Sequence, residues 1–379
     1  MRAFAAWNTS LAERSGRSGD SMVLCPARLE PCFSPRPWGS LSLAPFFPEM
    51  SSLAEPIGEA WMTGSECRFV GEPFAGRKLG EVWPGMPSEW AGTIARRAQS
   101  FPLLVKFIFS EDKLSVQVHP DDEYAARHER AAGGRGKTEM WYAIRARPGA
   151  EVLVGLGADV TPEKFKTAIA DGTAEDCLKR VPLCPGDAVF VPAGTVHTIG
   201  AGLVLCEIQQ HSDLTYRVFD YHRRDAQGQA RQLHIAKAFD VIRFGPQLGG
   251  KVEPVRIESG PLAQTYYAAC PYFASEKWEF SGRTRAVTSP EHFDLLIFLE
   301  GSGSLEWGGR RAAYEPAQVW MIPAALGEYH LQPEAGASSR SAARTSLLRT
   351  YVPGDCAEYG RQLSERGVGE TEWSRVVHR

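Results

Sequence analysis

No run of apolar residues in this chain of 379 approaches the length needed to span a bilayer, which argues against a membrane-spanning helix. Cysteine is sparse and scattered. Cys25, Cys32, Cys67, Cys177, Cys184, Cys206, Cys270 and Cys356 form no Cys-x-x-Cys pair. That pattern suits reduced thiols in a cytoplasm better than a disulfide framework. A surplus of positive charge is also missing. The net charge is −3, so no general attraction to nucleic acid is expected. No nucleotide-binding loop occurs, which speaks against a fused nucleotidyltransferase. Residues 1–21 lack the apolar centre of a secretory signal and are rich in Ser, Gly, Ala and Arg. They read as a disordered extension, or as the product of an upstream start codon with Met22 as the real beginning; a transit peptide fits less well.

What remains is the composition of a soluble globular protein, 43% hydrophobic and 23% charged. Most of the chain reads as short strands between Gly, Pro and Asp turns, the mark of a β-barrel or sandwich. The exception runs from Thr161 to Lys179. Thr161 can cap a helix, Pro162 suits its first turn, and Phe165, Ala168 and Ile169 recur at helical spacing.

The stretch Leu114-Ser115-Val116-Gln117-Val118-His119 alternates strictly and ends at a Pro-Asp turn, so it is predicted to be a strand. Side chains two apart share a face. Ser115, Gln117 and His119 therefore line up opposite Val116 and Val118. A hydroxyl, an amide and an imidazole on one face suit a metal or sugar site better than a core. Two further stretches add to this set. One is Gly136-Lys137-Thr138-Glu139-Met140-Trp141-Tyr142. The other is Pro185 to His197, with a Pro-Gly-Asp turn, a short apolar strand, a Pro-Ala-Gly turn and a His. The second has the layout of a cupin motif. Gln117, His119, Glu139 and His197 together make a nitrogen and oxygen ligand set suited to Zn²⁺ and its divalent neighbours. No cysteine joins it, which argues against a closed structural zinc site.

Seven blocks now stand in one order: Pro37-Trp38-Gly39, Glu55 to Trp61, Pro102 to Lys106, Asp112 to Asp122, Gly136 to Tyr142, Gly186 to Gly200 and Glu207 to Arg223. In this the chain resembles the type I mannose-6-phosphate isomerases of the cupin superfamily, over roughly residues 30–353. There is no room for the large helical domain of some members, so it is similar to the compact branch. The expected fold is mainly β, two cupin (jelly-roll) barrels with one short helical insert. Residues 22–260 would form the catalytic, metal-binding domain, with the insert near 161–180. Residues 261–353 would form a second barrel, and 354–379 a polar tail. The second barrel carries a faint repeat: Met321 to His330 resembles Phe190 to His197. It has no Gln-x-His and no clear equivalent of Glu139. His330 alone cannot hold a metal, so this barrel is expected to be metal-free and structural.

The resemblance implies an aldose–ketose isomerase that interconverts D-mannose 6-phosphate and D-fructose 6-phosphate through a cis-enediolate, with one Zn²⁺ per chain. Such chemistry needs a base, a means of stabilising the enediolate and a grip on the phosphate. Three residues are candidates for the base: Lys137, which shares a strand face with Glu139; Glu207, at the polar end of Leu203-Val204-Leu205-Cys206; and Asp213. Arg217 stands where the family has an arginine regarded as catalytic; it could stabilise the enediolate or hold the phosphate, for which a guanidinium fork is suited. Lys106, alone among apolar neighbours, and Ser115 are expected to bind substrate. The Glu55 to Trp61 block reads as packing near the pocket mouth. The expected protein is a cytoplasmic monomer or weak homo-oligomer without nucleic-acid or membrane partners. One rival is a metal-dependent cupin oxygenase using His119, Glu139 and His197 as a two-histidine, one-carboxylate site. Gln117 and the cations Lys106, Lys137 and Arg217 speak against it. A non-catalytic sugar-binding cupin is a second rival, with no reason to keep all these groups together. A chain begun at Met22 is expected to melt at the same temperature as the full chain; a clear drop on calorimetry would show that residues 1–21 pack on the core.

Overall fold

The structure, a computed structural model, describes residues 23–224, 228–246, 249–334 and 344–378. The extension 1–21 and Met22 lie outside the described residues. The fold is mainly β, and its strands pair antiparallel in four sheets. A seven-stranded sheet centres on Glu139–Ala146, Leu203–Gln210 and Leu103–Ser110, and a five-stranded sheet on Val116–Val118, His197–Ile199 and Glu151–Leu156. Trp38, Ile108, Trp141, Val152, Val154 and Leu205 from both sheets share one apolar cluster, so the two enclose a common interior. An eight-stranded and a four-stranded sheet repeat this arrangement, with strands from residues 255–351 joined by Ala27–Glu30 and Arg68–Val70, around Trp278, Leu296, Phe298, Leu305, Tyr314 and Leu331.

The two large sheets are buried on both faces. Leu103, Val105, Phe107 and Phe109 pack in one core with Leu295, Ile297 and Leu348 of the other barrel. Lys106 and Ile108, between them in sequence, point the opposite way, into the first barrel. This is why Leu103–Ser110 reads as an unbroken apolar run interrupted by one lysine. The smaller first-barrel sheet also has a covered outer face. There Val116, Val118 and Val218 meet Phe165, Ala168 and Ala238 from two helices. With both outer faces sealed by apolar packing, the polar alternates are left to the interior.

The helical insert is shorter than the sequence pattern predicts. Thr161 caps it, its hydroxyl accepting from the Lys164 amide at 3.2 Å. The helix is Pro162–Asp171, and it ends at Gly172, whose φ of +77° belongs to the left-handed cap. A 3₁₀ turn, Ala174–Cys177, follows. Among the described residues three more helices of at least seven residues appear: Asp122–His128, Ile235–Val241 and Cys356–Glu365. The last lies in the segment that reads as a polar tail. Its Tyr359 and Leu363, with Val376 and Val377 beyond it, enter the core between the barrels. The tail is amphipathic, and its spaced apolar residues are too few to stand out in composition.

Strand register relates the two barrels residue by residue. Glu139 pairs with Val191, before Pro192-Ala193, and Asp294 pairs with Ile322, before Pro323-Ala324. From that anchor Arg349 stands where Glu207 stands, and Glu276 where Lys106 stands. In the second barrel Arg349 Nη1 is 2.7 Å from Glu276, and its Nε 2.9 Å from Asp294. Ala286 faces Tyr329 in the way Gln117 faces His197. The inward place that the repeat suggests for His330 therefore goes to Tyr329, which is buried; His330 alternates to the outer face beside Glu328. The second barrel thus keeps a charged interior, but its cation is a guanidinium. Arg349→Met should leave Glu276 without its cation and Asp294 with only His292 beside it, and cost about 3–5 kcal/mol, read by denaturant unfolding, with bound metal per chain unchanged.

Candidate functional site

The first-barrel interior opens as a cavity of about 500 Å³. Its deepest part is built by three facing strands. Gln117 pairs in register with His197, and Glu139 enters from the opposite sheet. Gly136 lets that strand begin where it does: a Cβ there would lie 2.6 Å from the Asp121 carbonyl carbon. His119, Glu139 and His197 are fully buried, and their donor atoms lie within 4.8 Å of one another. Among the described residues no other group of three such ligands occurs.

Hydrogen bonds to backbone carbonyls fix both imidazoles. His119 Nδ1 donates to the Leu214 carbonyl at 2.7 Å, and His197 Nδ1 to the Thr195 carbonyl at 2.8 Å. Each Nε2 is then a bare lone pair turned inward. Burial, followed by the nearby Lys137 charge, pulls His119 well below the usual imidazole range, and the same two causes bring His197 down to about 3. Both rings are neutral, as metal ligands must be. His197 Nε2 lies 3.2 Å from Glu139 Oε1, an oxygen with no hydrogen-bond partner. While Glu139 is ionised, two acceptors face each other with no proton between them, and a cation resolves that conflict. The Gln117 amide is 3.3 Å from the same Nε2; a half-turn presents its oxygen instead of its nitrogen. The four residues fit a divalent ion.

Charged groups surround this floor. Lys137 Nζ reaches Glu139 at 2.5 Å, His119 Nε2 at 3.1 Å and Glu207 at 3.7 Å. Lys106 lies 3.4 Å from Glu207 and 3.7 Å from Asp213, and 4.7 Å from the centre of the Trp61 ring. Burial alone would raise the Glu207 carboxyl, but Lys137 and Lys106 outweigh it and hold Glu207 low, at about 2. For Glu139 burial dominates and pushes the carboxyl upward against the pull of Lys137. Burial would lower Lys106, yet Glu207, Glu59 and Asp213 keep it above the ordinary range. Glu207 is therefore the interior's settled anion and Lys106 its settled cation, while Glu139 needs a positive neighbour to stay ionised.

Every sequence-selected residue comes to this cavity or its floor. Arg217 stands nearer the mouth; its Nε donates to Ser115 at 3.2 Å and its Nη1 to the Gln232 carbonyl at 3.0 Å. Asp213 is the most exposed of the set, at 63% of its side chain. Sequence reasoning missed several lining residues. Arg36, just before Pro37-Trp38-Gly39, joins the wall, as do Glu59, Arg231 and His234. Glu59 shows that the Glu55 to Trp61 block does more than pack: its carboxylate accepts from Arg36 at 2.9 Å and from Trp61 Nε1 at 2.8 Å. A charged residue within an otherwise buried strand was the available signal.

Comparison with known proteins agrees with the geometry. The family described as phosphomannose isomerase type I, catalytic domain, matches residues 27–145. That described as mannose-6-phosphate isomerase, cupin domain, matches residues 263–337. The probable mannose-6-phosphate isomerase GmuF of Bacillus subtilis is 37% identical over 311 residues, 81% of this chain and 96% of its own length. Mannose-6-phosphate isomerase ManA of the same organism is 35% identical, covering 82% and 97%. The crystal structure of the mannose 6-phosphate isomerase from Bacillus subtilis superposes with a TM-score of 0.76 at 29% identity, covering 86% of this chain and 99% of that one. His197→Ala should purify without the divalent ion that the unaltered protein carries, as measured by elemental analysis; retention of a full equivalent would place the ion elsewhere.

Proposed function

Because this chain belongs to the type I mannose-6-phosphate isomerase family, we propose that it interconverts D-mannose 6-phosphate and D-fructose 6-phosphate. The observation that carries the metal-dependent part of this reading is the pair of facing acceptors, His197 Nε2 and Glu139 Oε1. We assign the ligand role to Gln117, His119, Glu139 and His197, and Zn²⁺ as the ion. When bound, such an ion supplies Lewis-acid polarisation and orientation of the sugar's carbonyl and hydroxyl oxygens.

The protein's own groups do the rest. Isomerisation takes a proton from one carbon, returns it to its neighbour, and shifts a second proton between two oxygens. Glu207, ionised and held by Lys137 and the Trp61-backed Lys106, is a proton acceptor already in place, its basicity set by how far those two lysines are drawn away by the substrate. Lys137, in contact with both Glu139 and Glu207, can relay protons at the oxygens. Asp213, on the open side of Lys106, is the third candidate base. We place the carbon-bound proton transfer among these three. Arg217, oriented by Ser115 and a backbone carbonyl, faces the negative charge that grows on the enediolate. Lys106 and Ser115 contact the sugar. The cysteines, which form no disulfide among the described residues, suit a cytoplasmic enzyme. No helix of the described residues is long and apolar enough to cross a membrane. We assign it no nucleic-acid or membrane partner, and a monomeric or weakly associated state.

The test is a coupled assay on mannose 6-phosphate with and without chelator. Turnover should vanish on chelation and return with Zn²⁺; oxygen consumption instead would point to a cupin oxygenase. Arg217→Lys keeps charge but loses the guanidinium fork. It should lower kcat on the order of 10²- to 10³-fold with metal still bound, as for loss of one preorganised oxyanion donor. A normal kcat with a raised KM would make Arg217 a binding group only.

A further inference from the structure

We propose that Arg36 and Arg231, at the rim of the cavity, are specificity-determining residues that grip the phosphate of the substrate. The inference rests on the isomerase reading for the identity of the ligand. The first ground is charge. Five cations and three carboxylates form the cavity wall, with Glu139 and Asp220 behind Lys137 and Arg231. The wall therefore presents mainly positive groups to an entering ligand, as suits a phosphate monoester, which carries about −1.5 to −2 at neutral pH.

The second ground is placement. Lys106 and Lys137 are almost wholly buried and already paired with the floor carboxylates. They stand where the reacting carbons must go, beside the ligand set. The phosphate, at the far end of a hexose, has to sit toward the mouth. There Arg36 and Arg231 keep 32% and 31% of their side chains exposed, enough to meet an entering ligand.

The third ground is preorganisation. Each guanidinium is aimed by an acid that is itself nearly buried. Arg36 Nη2 donates to Glu59 at 2.9 Å, and its Nη1 to Ser34 at 2.7 Å. Arg231 Nε donates to Asp220 at 2.7 Å, with a second contact from its Nη2. Asp220 is shared with Arg223, so one carboxylate serves two guanidiniums. Arg217 registers the crowding: after burial, the charges of Arg231, Arg223 and Arg36 all push its pKa down, opposed by Asp220. Several like charges held together around a solvent-filled space destabilise one another. An anion with several acceptor oxygens relieves that, and the planar forks suit a phosphate.

The test uses the metal-loaded enzyme with Arg36→Gln and Arg231→Gln, and the charge-conserving Arg36→Lys and Arg231→Lys. Neither loss strands a carboxylate: Trp61 still donates to Glu59, and Arg223 still pairs with Asp220. Each Gln variant should raise KM for mannose 6-phosphate on the order of tenfold or more while kcat stays within about threefold, as expected for binding common to substrate and transition state. Inorganic phosphate, as competitive inhibitor, should weaken in parallel, and each Lys variant should recover part of both. Metal content should not change. A fall in kcat at constant KM, or an unaltered phosphate inhibition constant, would overturn the assignment. Calorimetric titration with inorganic phosphate separates this idea from the isomerase reading. Phosphate binding that is lost in the Gln variants supports the grip even if mannose 6-phosphate is not turned over; equal binding in all variants refutes it even if turnover is normal.

Discussion

The contact between Lys137 and Glu139 governs the interior of the first barrel. A buried carboxylate without a positive neighbour would take up a proton and cease to be a ligand. Lys137 holds part of that charge, and Glu207 in turn balances Lys137 and Lys106. The result is a closed set of two cations and two anions, all buried. Removing any one unbalances the set in a medium that screens poorly, which is why binding and chemistry here are hard to separate by single substitutions. The same set offers one proton acceptor that is firmly ionised and one carboxylate that waits for a cation. Two acids of equal chemistry differ because their neighbours differ.

The second barrel solves the same problem with other residues. Asp294 and Glu276 keep the buried carboxylates, and Arg349 supplies from within the chain a positive charge that a bound cation would bring to the first barrel. A guanidinium fills the space between strands and has no open coordination position. Among the described residues the barrel gathers no group of three metal-ligating side chains. Its aromatic partners, Trp278 and Tyr351, pack on the guanidinium.

Much of this was legible in the sequence because it is local. The alternation Ser115, Gln117, His119 follows strand period and holds, and Lys137 does meet Glu139, although it lies just before the strand, which begins at Glu139. The Thr161 cap depends on neighbours three residues away, and it holds too. What escaped depends on pairing between distant strands. Arg36 meets Glu59, and Arg231 meets Asp220, through loops and registers that no local pattern specifies. The exchange of charge between Lys106–Glu207 and Glu276–Arg349 is invisible until the strands are aligned side by side. His330 misleads for a related reason: one residue of offset before a strand moves a side chain to the other face.

The strand Ala27–Glu30 has a consequence for how the protein is made. It pairs with Val319–Ile322, in the sheet of the second barrel, while the strand that follows it, Cys32–Ser40, belongs to the first. A ribosome therefore delivers Ala27 long before Met321 exists to receive it. The first barrel can assemble as its strands emerge, but its leading edge stays unsatisfied until nearly the whole polypeptide has been synthesised. Non-local pairing of this kind is slow and leaves a strand edge exposed in the meantime. The nascent chain is most open to misassociation in that interval, and the last part translated, by completing the second sheet, ends it.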